Sequence, residues 1–212
     1  MIRAKAKMNL REVAEGVFCF RPMATSRAYS FAREASQLSS WEPAGVYGGN
    51  NKIQRSTRRS QITALSDLPL LERAWLGEVV PSACVLAHEH WPTLRLCWSD
   101  ATLLRYNRGD FFAPHRDSGP HVRERQVTVV LYLNDDFSGG ETVFYESGKV
   151  ITPEAGLCAV FLSKLVHSSQ RIRWGSKIVV AGWLLRSWSS ADTAPSHKPV
   201  CNRTGTTNAH SA

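Results

Sequence analysis

The chain has 212 residues, of which 43% are hydrophobic and 21% charged, and its formal net charge is +8. This size and composition suit one globular domain with a full core and exclude a globally disordered chain. A basic balance of this size is compatible with nucleic acid, an anionic membrane surface or acidic small molecules as partners.

Arg3, Lys5, Lys7 and Arg11 crowd the N-terminus, which lacks the apolar stretch of a secretory signal. Thr25 or Ser26 caps a predicted helix running to about Leu38, and the helix stops before Trp41-Glu42-Pro43 because the residue before a proline avoids helical geometry. Gly45, Gly48, Gly49, Asn50 and Asn51 mark a loop. Lys52, Arg55, Arg58 and Arg59 follow as a second basic cluster. It has none of the interleaved aromatics that a nucleic-acid surface favours and reads as a solvated face. A second helix is predicted from about Pro69 to about Val80, capped by Ser66 or Asp67, with the proline tolerated in its first turn. Leu68, Leu71, Trp75 and Val79 recur on it at helical spacing and are candidate core. His88-Glu89-His90 is an H-x-H triplet, but no glutamate follows at cupin spacing, and it reads as structural.

From about Leu94 the texture changes to short segments rich in Val, Leu, Phe, Tyr and Trp, separated by Gly, Asn, Asp and Ser. Strands are predicted over Ala101–Asn107, Phe111–His115, Gln126–Asn134, Glu141–Tyr145, Leu157–Leu162, Val166–Gln170 and Lys177–Ser187. Such a series implies a mainly β (α+β) sandwich, jelly roll or barrel. The expected organisation is a mixed, helical support region over 1–93, a β core over 94–188 and a disordered Ser-, Thr-, Ala- and Asn-rich tail over 189–212. The longest apolar run, Ile178 to Leu185, falls well short of the roughly 18–20 residues of a membrane span. Five cysteines with no C-x-x-C pair suggest free thiols in a reducing, intracellular compartment, the cytoplasm being the first expectation.

Phe111-Phe112-Ala113-Pro114-His115-Arg116-Asp117 contains an H-x-D triplet. On an extended segment, side chains two apart share a face, so His115 and Asp117 can converge on one metal ion. Imidazole and carboxylate donors suit a divalent ion such as Fe(II). His167, 50 residues beyond Asp117 and inside a later strand candidate, would complete a facial triad. Three protein ligands leave three octahedral positions for a chelating co-substrate and dioxygen.

The stretch Leu104-Arg105-Tyr106-Asn107-Arg108-Gly109-Asp110-Phe111 through Asp117 resembles the iron-binding segment of the prolyl 4-hydroxylase-like Fe(II)/2-oxoglutarate dioxygenases. Gln126 to Asp135, followed by Gly139-Gly140-Glu141-Thr142-Val143-Phe144, is similar to the same family's central strands and their Gly-Gly-Glu-Thr turn. His167, with Lys177 ten residues later and Trp183 six further on, resembles the family's distal histidine and co-substrate lysine. The resemblance covers roughly residues 94–188. It implies a double-stranded β-helix (jelly-roll) core braced by N-terminal helices. It implies catalytic metal ligands His115, Asp117 and His167, and a cofactor-binding set of Lys177, Tyr106, Thr128 and Trp183. It implies Fe(II), 2-oxoglutarate and O2 as reactants, and leaves a need for L-ascorbate open. The implied reaction hydroxylates an unactivated C–H bond while 2-oxoglutarate is decarboxylated to succinate and CO2, with a prolyl residue in a peptide or protein as first substrate candidate.

Chemistry independently favours Lys177. A lysine opening an apolar strand needs a counter-charge, which a co-substrate carboxylate supplies. A hairpin centred near Ile172 would set it opposite His167. Arg171 and Arg173 are runner-up cations, expected at the surface. Gly139 and Gly140 are expected turn residues with positive φ. His121 and Glu124 lie in a polar loop able to close over a substrate. Two alternatives stay open: an oxygenase or demethylase of the same superfamily acting on nucleic acid or a small molecule, and a non-catalytic metal-binding module.

Overall fold

The computed structural model describes residues 10–45 and 54–187. Most of the basic N-terminus, Lys52, most of the glycine loop and the tail lie outside them. The strands in chain order are β1 (Arg11–Ala14), β2 (Val17–Phe20), β3 (Glu42–Pro43), β4 (Arg58–Arg59), β5 (Gln61–Ala64), β6 (Leu96–Tyr106), β7 (Phe111–His115) and β8 (Arg125–Tyr132). They continue with β9 (Ser138–Gly139), β10 (Thr142–Phe144), β11 (Val150–Ile151), β12 (Cys158–Leu162), β13 (His167–Ser169), β14 (Ile172–Trp174) and β15 (Lys177–Arg186). The helices are α1 (Thr25–Ser36), α2 (Pro69–Ala74) and α3 (Val80–His90), with a π-helical turn, Trp75–Val79, joining the last two.

A major sheet runs β1-β2-β12-β8-β15-β6-β5-β3 and a minor sheet β11-β10-β13-β7-β4. Strand alternation decides what each face does. Leu103, Val127, Val129, Leu131, Ile178, Val180 and Leu184 point to one side of the major sheet and share a core with Leu71, Trp75, Val79, Ala83 and Leu86 of the helices. Their neighbours Leu104, Tyr106, Tyr132, Val179 and Ala181 point the other way and pack with Phe144, Phe161 and Ile172. The result is the expected jelly roll with a helical brace. With both faces covered, β8 and β15 read as nearly continuous apolar runs.

The expected division at residue 94 does not mark a structural boundary. β1, β2, β3 and β5 belong to the major sheet and β4 to the minor one. Two- to four-residue strands carry too little pattern to be read. α1 begins where expected, but its N-cap is Ala24 and no side chain caps it. The Thr25 hydroxyl is drawn instead to the Ala155 carbonyl at 3.3 Å. The second helix runs on through Pro81 to His90, because the π turn before the proline accommodates its missing N–H. Asp67 does not cap it; its carboxylate accepts from Ser40 and Thr63. His88 and His90 fall in the last turn of α3, and the His90 ring packs, tilted, against Phe18 at 4.1 Å, which suits a structural reading of His90.

The hairpin about Ile172 does not form. β13 lies in the minor sheet and β15 in the major one, while β14 between them pairs with β9. Gly139 and Gly140 do carry positive φ, 82° and 72°. A Cβ on Gly139 would collide with the Arg171 carbonyl, whereas one on Gly148 (φ 65°) would meet nothing. Gly139→Ala should therefore cost about 3 kcal/mol or more in chemical denaturation, and Gly148→Ala only about 1 kcal/mol. Equal costs would show that backbone conformation alone, not the close approach, requires Gly139.

Candidate functional site

Each site residue is placed by strand pairing. His167 on β13 is the register partner of His115 on β7. Asp117 follows β7 directly, where its backbone N–H donates to the Ser163 carbonyl at 3.0 Å. On the major sheet, Lys177 is the register partner of Tyr106, and Trp183 that of Thr128. Alternation turns all four toward the minor sheet. The two faces enclose a cavity of about 340 Å³ lined by His115, Asp117, His167, Lys177, Tyr106, Thr128 and Trp183 among others. The structure thus brings together every site residue expected from the sequence.

His115, Asp117 and His167 offer ligand atoms within 4.8 Å of one another, the one such cluster among the described residues. His115 Nε2 lies 3.4 Å from Asp117 Oδ1, and His167 Nε2 lies 3.7 Å from Oδ2. Nδ1 of His115 meets the Ala113 carbonyl at 2.9 Å, and Nδ1 of His167 meets the Leu165 carbonyl at 3.1 Å. A carbonyl only accepts, so each Nδ1 carries the proton and each Nε2 turns its lone pair inward. Burial pushes the Asp117 carboxyl up, but His167, His115 and Thr128 outweigh it and hold the group well below the usual carboxylate range. Burial lowers His167 against the opposing charge of Asp117. An ionised carboxylate and a neutral imidazole are the ligating forms of both, so the donor set fits a divalent cation.

Packing fixes the rings. His115 stacks on Phe112 at 3.4 Å, and His167 meets Phe161 edge-on at 4.7 Å. Thr128, expected among the cofactor-binding side chains, has its hydroxyl engaged elsewhere. It donates to Asp117 Oδ2 at 2.8 Å and sits 2.8 Å from Ser163 Oγ. Its role in the geometry is to orient the carboxylate. Thr128→Val should weaken iron binding about tenfold in a metal titration, as outer partners of metal ligands do, and Thr128→Ser should restore it. An unchanged Thr128→Val affinity would remove this role.

Lys177 is only 2% exposed. Its ammonium donates to the Gly140 carbonyl at 2.8 Å and to the Ser169 hydroxyl, and lies 4.6 Å from the centre of the Tyr106 ring. Burial pulls its pKa down to about 7, with Glu141 opposing. A buried cation facing a cavity is a receptor for an anion. Arg171 and Arg173 are exposed, as expected of turn residues. Trp183 forms wall, with the Arg125 guanidinium 3.5 Å over its ring. Of the polar loop, Val122 reaches the cavity, and the Glu124 carbonyl is tied to β15 by the Arg186 N–H at 2.7 Å.

Sequence reasoning missed Arg58. It was placed in a solvated cluster, yet it lines the cavity, lies 4.7 Å over the Phe112 ring and donates to Ser60 at 2.8 Å. Tyr132 and Thr142, bonded hydroxyl to hydroxyl at 2.8 Å, were missed as lining residues too. The i, i+2 spacing of Tyr132 from Val130 and Thr128 on one strand face was the available signal.

Residues 101–185 match the model of the 2OG-Fe(II) oxygenase superfamily. No curated protein sequence matches the chain. Among solved structures the chain is similar to a Pseudomonas putida prolyl-4-hydroxylase, with a TM-score of 0.66 and 21% identity over 81% of this chain and 93% of that one. It is similar to the viral collagen prolyl hydroxylase of Paramecium bursaria Chlorella virus-1 in its 2OG complex, at 0.61 and 16% over 81% and 97%. It is also similar to a Trichoplax adhaerens prolyl hydroxylase in complex with a hypoxia inducible factor peptide fragment, at 0.66 and 17% over 81% and 84%. The match to the 2OG-Fe(II) oxygenase superfamily, a class of dioxygenases, thus lies on residues 101–185, within a jelly roll similar in fold to the prolyl 4-hydroxylases. Among the described residues no helix is long and apolar enough to cross a membrane.

Proposed function

We propose that the chain hydroxylates a prolyl residue of a peptide or protein, consuming 2-oxoglutarate and O2 and releasing succinate and CO2. The observation that carries the oxygenase site is the convergence of two inward Nε2 atoms, one ionised carboxylate and one buried ammonium on a single cavity. His115, Asp117 and His167 would hold Fe(II). When bound, the iron supplies the redox chemistry that activates dioxygen.

The protein's own part is to bind, orient and exclude. Lys177, steadied by Gly140 and Ser169, takes the distal carboxylate of 2-oxoglutarate as a charge-assisted partner. Tyr106 lies against the same ammonium and supports that end of the co-substrate. Thr128 and Ser163 keep Asp117 from rotating out of its ligating pose. Val130, Phe161, Val179 and Ala181 line the cavity with apolar surface that keeps water from the reacting centre.

The prolyl residue is supported by the solved neighbours, which are named as prolyl hydroxylases. The test is succinate release by the full chain against a panel of peptides, oligonucleotides and free amino acids, with mass spectrometry for products that gain one oxygen. Oxygen gain on a prolyl peptide supports the proposal. Gain only on an oligonucleotide or a free amino acid overturns the substrate, and no succinate with any of them overturns the activity. Omitting L-ascorbate from the same assay shows whether it is needed.

A further inference from the structure

The cavity adjoins two further recesses and shares an arginine with each. Arg58 stands on the wall common to the cavity and a recess lined by Arg55 and Arg59. Arg125 is common to the cavity and a second recess lined by Arg123 and Lys164. Arg116 lines the cavity too. Arg55, Arg59, Arg116, Arg123 and Lys164 are exposed. The acids lining the three recesses are fewer: Asp100, Asp110 and the triad's Asp117. Glu146, 3.2 Å from Arg116, and Glu124, 4.0 Å from Arg123, offset part of the charge. The excess stays positive over the cavity and both recesses.

We infer that the substrate is an acidic polypeptide segment, with carboxylates on both sides of the residue that enters the cavity. This rests on the peptide reading above and adds the chemistry of its flanks. A single-stranded nucleic acid would meet the same charge, but it needs open aromatic faces for its bases. Here those faces are taken. Phe112 has the Arg58 guanidinium at 4.7 Å and is stacked on the His115 ring at 3.4 Å, and Trp183 is covered by Arg125 at 3.5 Å. A guanidinium laid on a ring is held in place and keeps N–H groups at its edge, an arrangement that suits a carboxylate. Arg58 is fixed further by Ser60 and by the Gly45 carbonyl at 3.2 Å.

The test uses the full chain with Fe(II) and 2-oxoglutarate under anaerobic conditions. Three fluorescein-labelled peptides share a central proline and differ only in flanks of Glu, Gln or Lys, and binding is read by anisotropy. The Glu-flanked peptide should bind about tenfold tighter than the Gln-flanked one, and its advantage should shrink as salt rises. The Lys-flanked peptide should be the weakest. The variant Arg59→Gln/Arg123→Gln/Lys164→Gln should cut the preference severalfold while leaving peptide-independent succinate release in air unchanged. Equal binding of the Glu and Gln peptides, no binding of either, or displacement of the Glu peptide by a lower concentration of oligothymidylate would overturn the inference. Because anisotropy does not require turnover, this failure is separable from that of the proposed function. In the first case a prolyl peptide still gains oxygen and the flanks do not matter; in the second no prolyl peptide gains oxygen, whatever its flanks.

Discussion

Asp117→Ala should lower the affinity for Fe(II) by at least about a hundredfold and reduce succinate release to background. Even outer-sphere partners of metal ligands are worth about ten- to a hundredfold, and Asp117 is the only carboxylate in the cluster. Its two oxygens face the two Nε2 atoms, so removing it leaves a pair of neutral imidazoles with no anion between them. Two neutral donors hold a hard divalent ion poorly. Equilibrium titration with Fe(II), or with Mn(II) as an air-stable probe, measures the loss, and circular dichroism of the same sample checks the fold. Wild-type affinity in the variant would remove Asp117 from the ligand set. Unfolding would make His115→Ala the deciding variant, since that ring is only partly buried.

Lys177→Met should leave iron binding intact and raise the 2-oxoglutarate concentration for half-maximal turnover by about a hundredfold or more. Truncating one partner of a buried, hydrogen-bonded charge pair costs roughly 2–5 kcal/mol. The pH dependence has a definite sign. Burial pulls the free protein's Lys177 down to about 7, and only its protonated form attracts a carboxylate. Co-substrate affinity should therefore be full below about pH 7 and weaken as pH rises through that value. The slope tends toward about tenfold per pH unit until the pKa of the bound state is reached. Binding isotherms of wild type and Lys177→Met across this range measure both effects. A flat wild-type profile, or a variant with unchanged affinity, would transfer the carboxylate to another cation, and Arg58 would be the first to test.

The candidate metal ligands were legible because two of them lie two residues apart at the end of a predicted strand. β7 forms over the predicted Phe111–His115, but Asp117 falls in the bend just past its end, where the Ser163 carbonyl holds its N–H, so the two side chains converge through that bend rather than through strand alternation. Lys177 was legible because a cation opening an apolar run must meet a counter-charge. Its route to the site was not, because β13 and β15 join different sheets, and only long-range pairing decides that. Arg58 was illegible for a related reason. Its place in the cavity depends on the two-residue β4 pairing with β7, Arg58 opposite Phe112, which leaves no periodic trace in the sequence. The N-terminal strands were missed because Arg11–Ala14 and Val17–Phe20 are short, and β2, buried throughout, shows no alternation. The second helix outran its expected end because a π turn, which no propensity scale marks, lets it continue past Pro81.

The most direct test of the account is an anaerobic titration of the full chain with Fe(II) in the presence of 2-oxoglutarate, read by visible charge-transfer absorption. The account predicts a band that saturates at one iron per chain in the wild type, is lost in His167→Ala and Asp117→Ala, and requires far more 2-oxoglutarate in Lys177→Met. A band of full strength in both ligand variants, or none in the wild type, would contradict it.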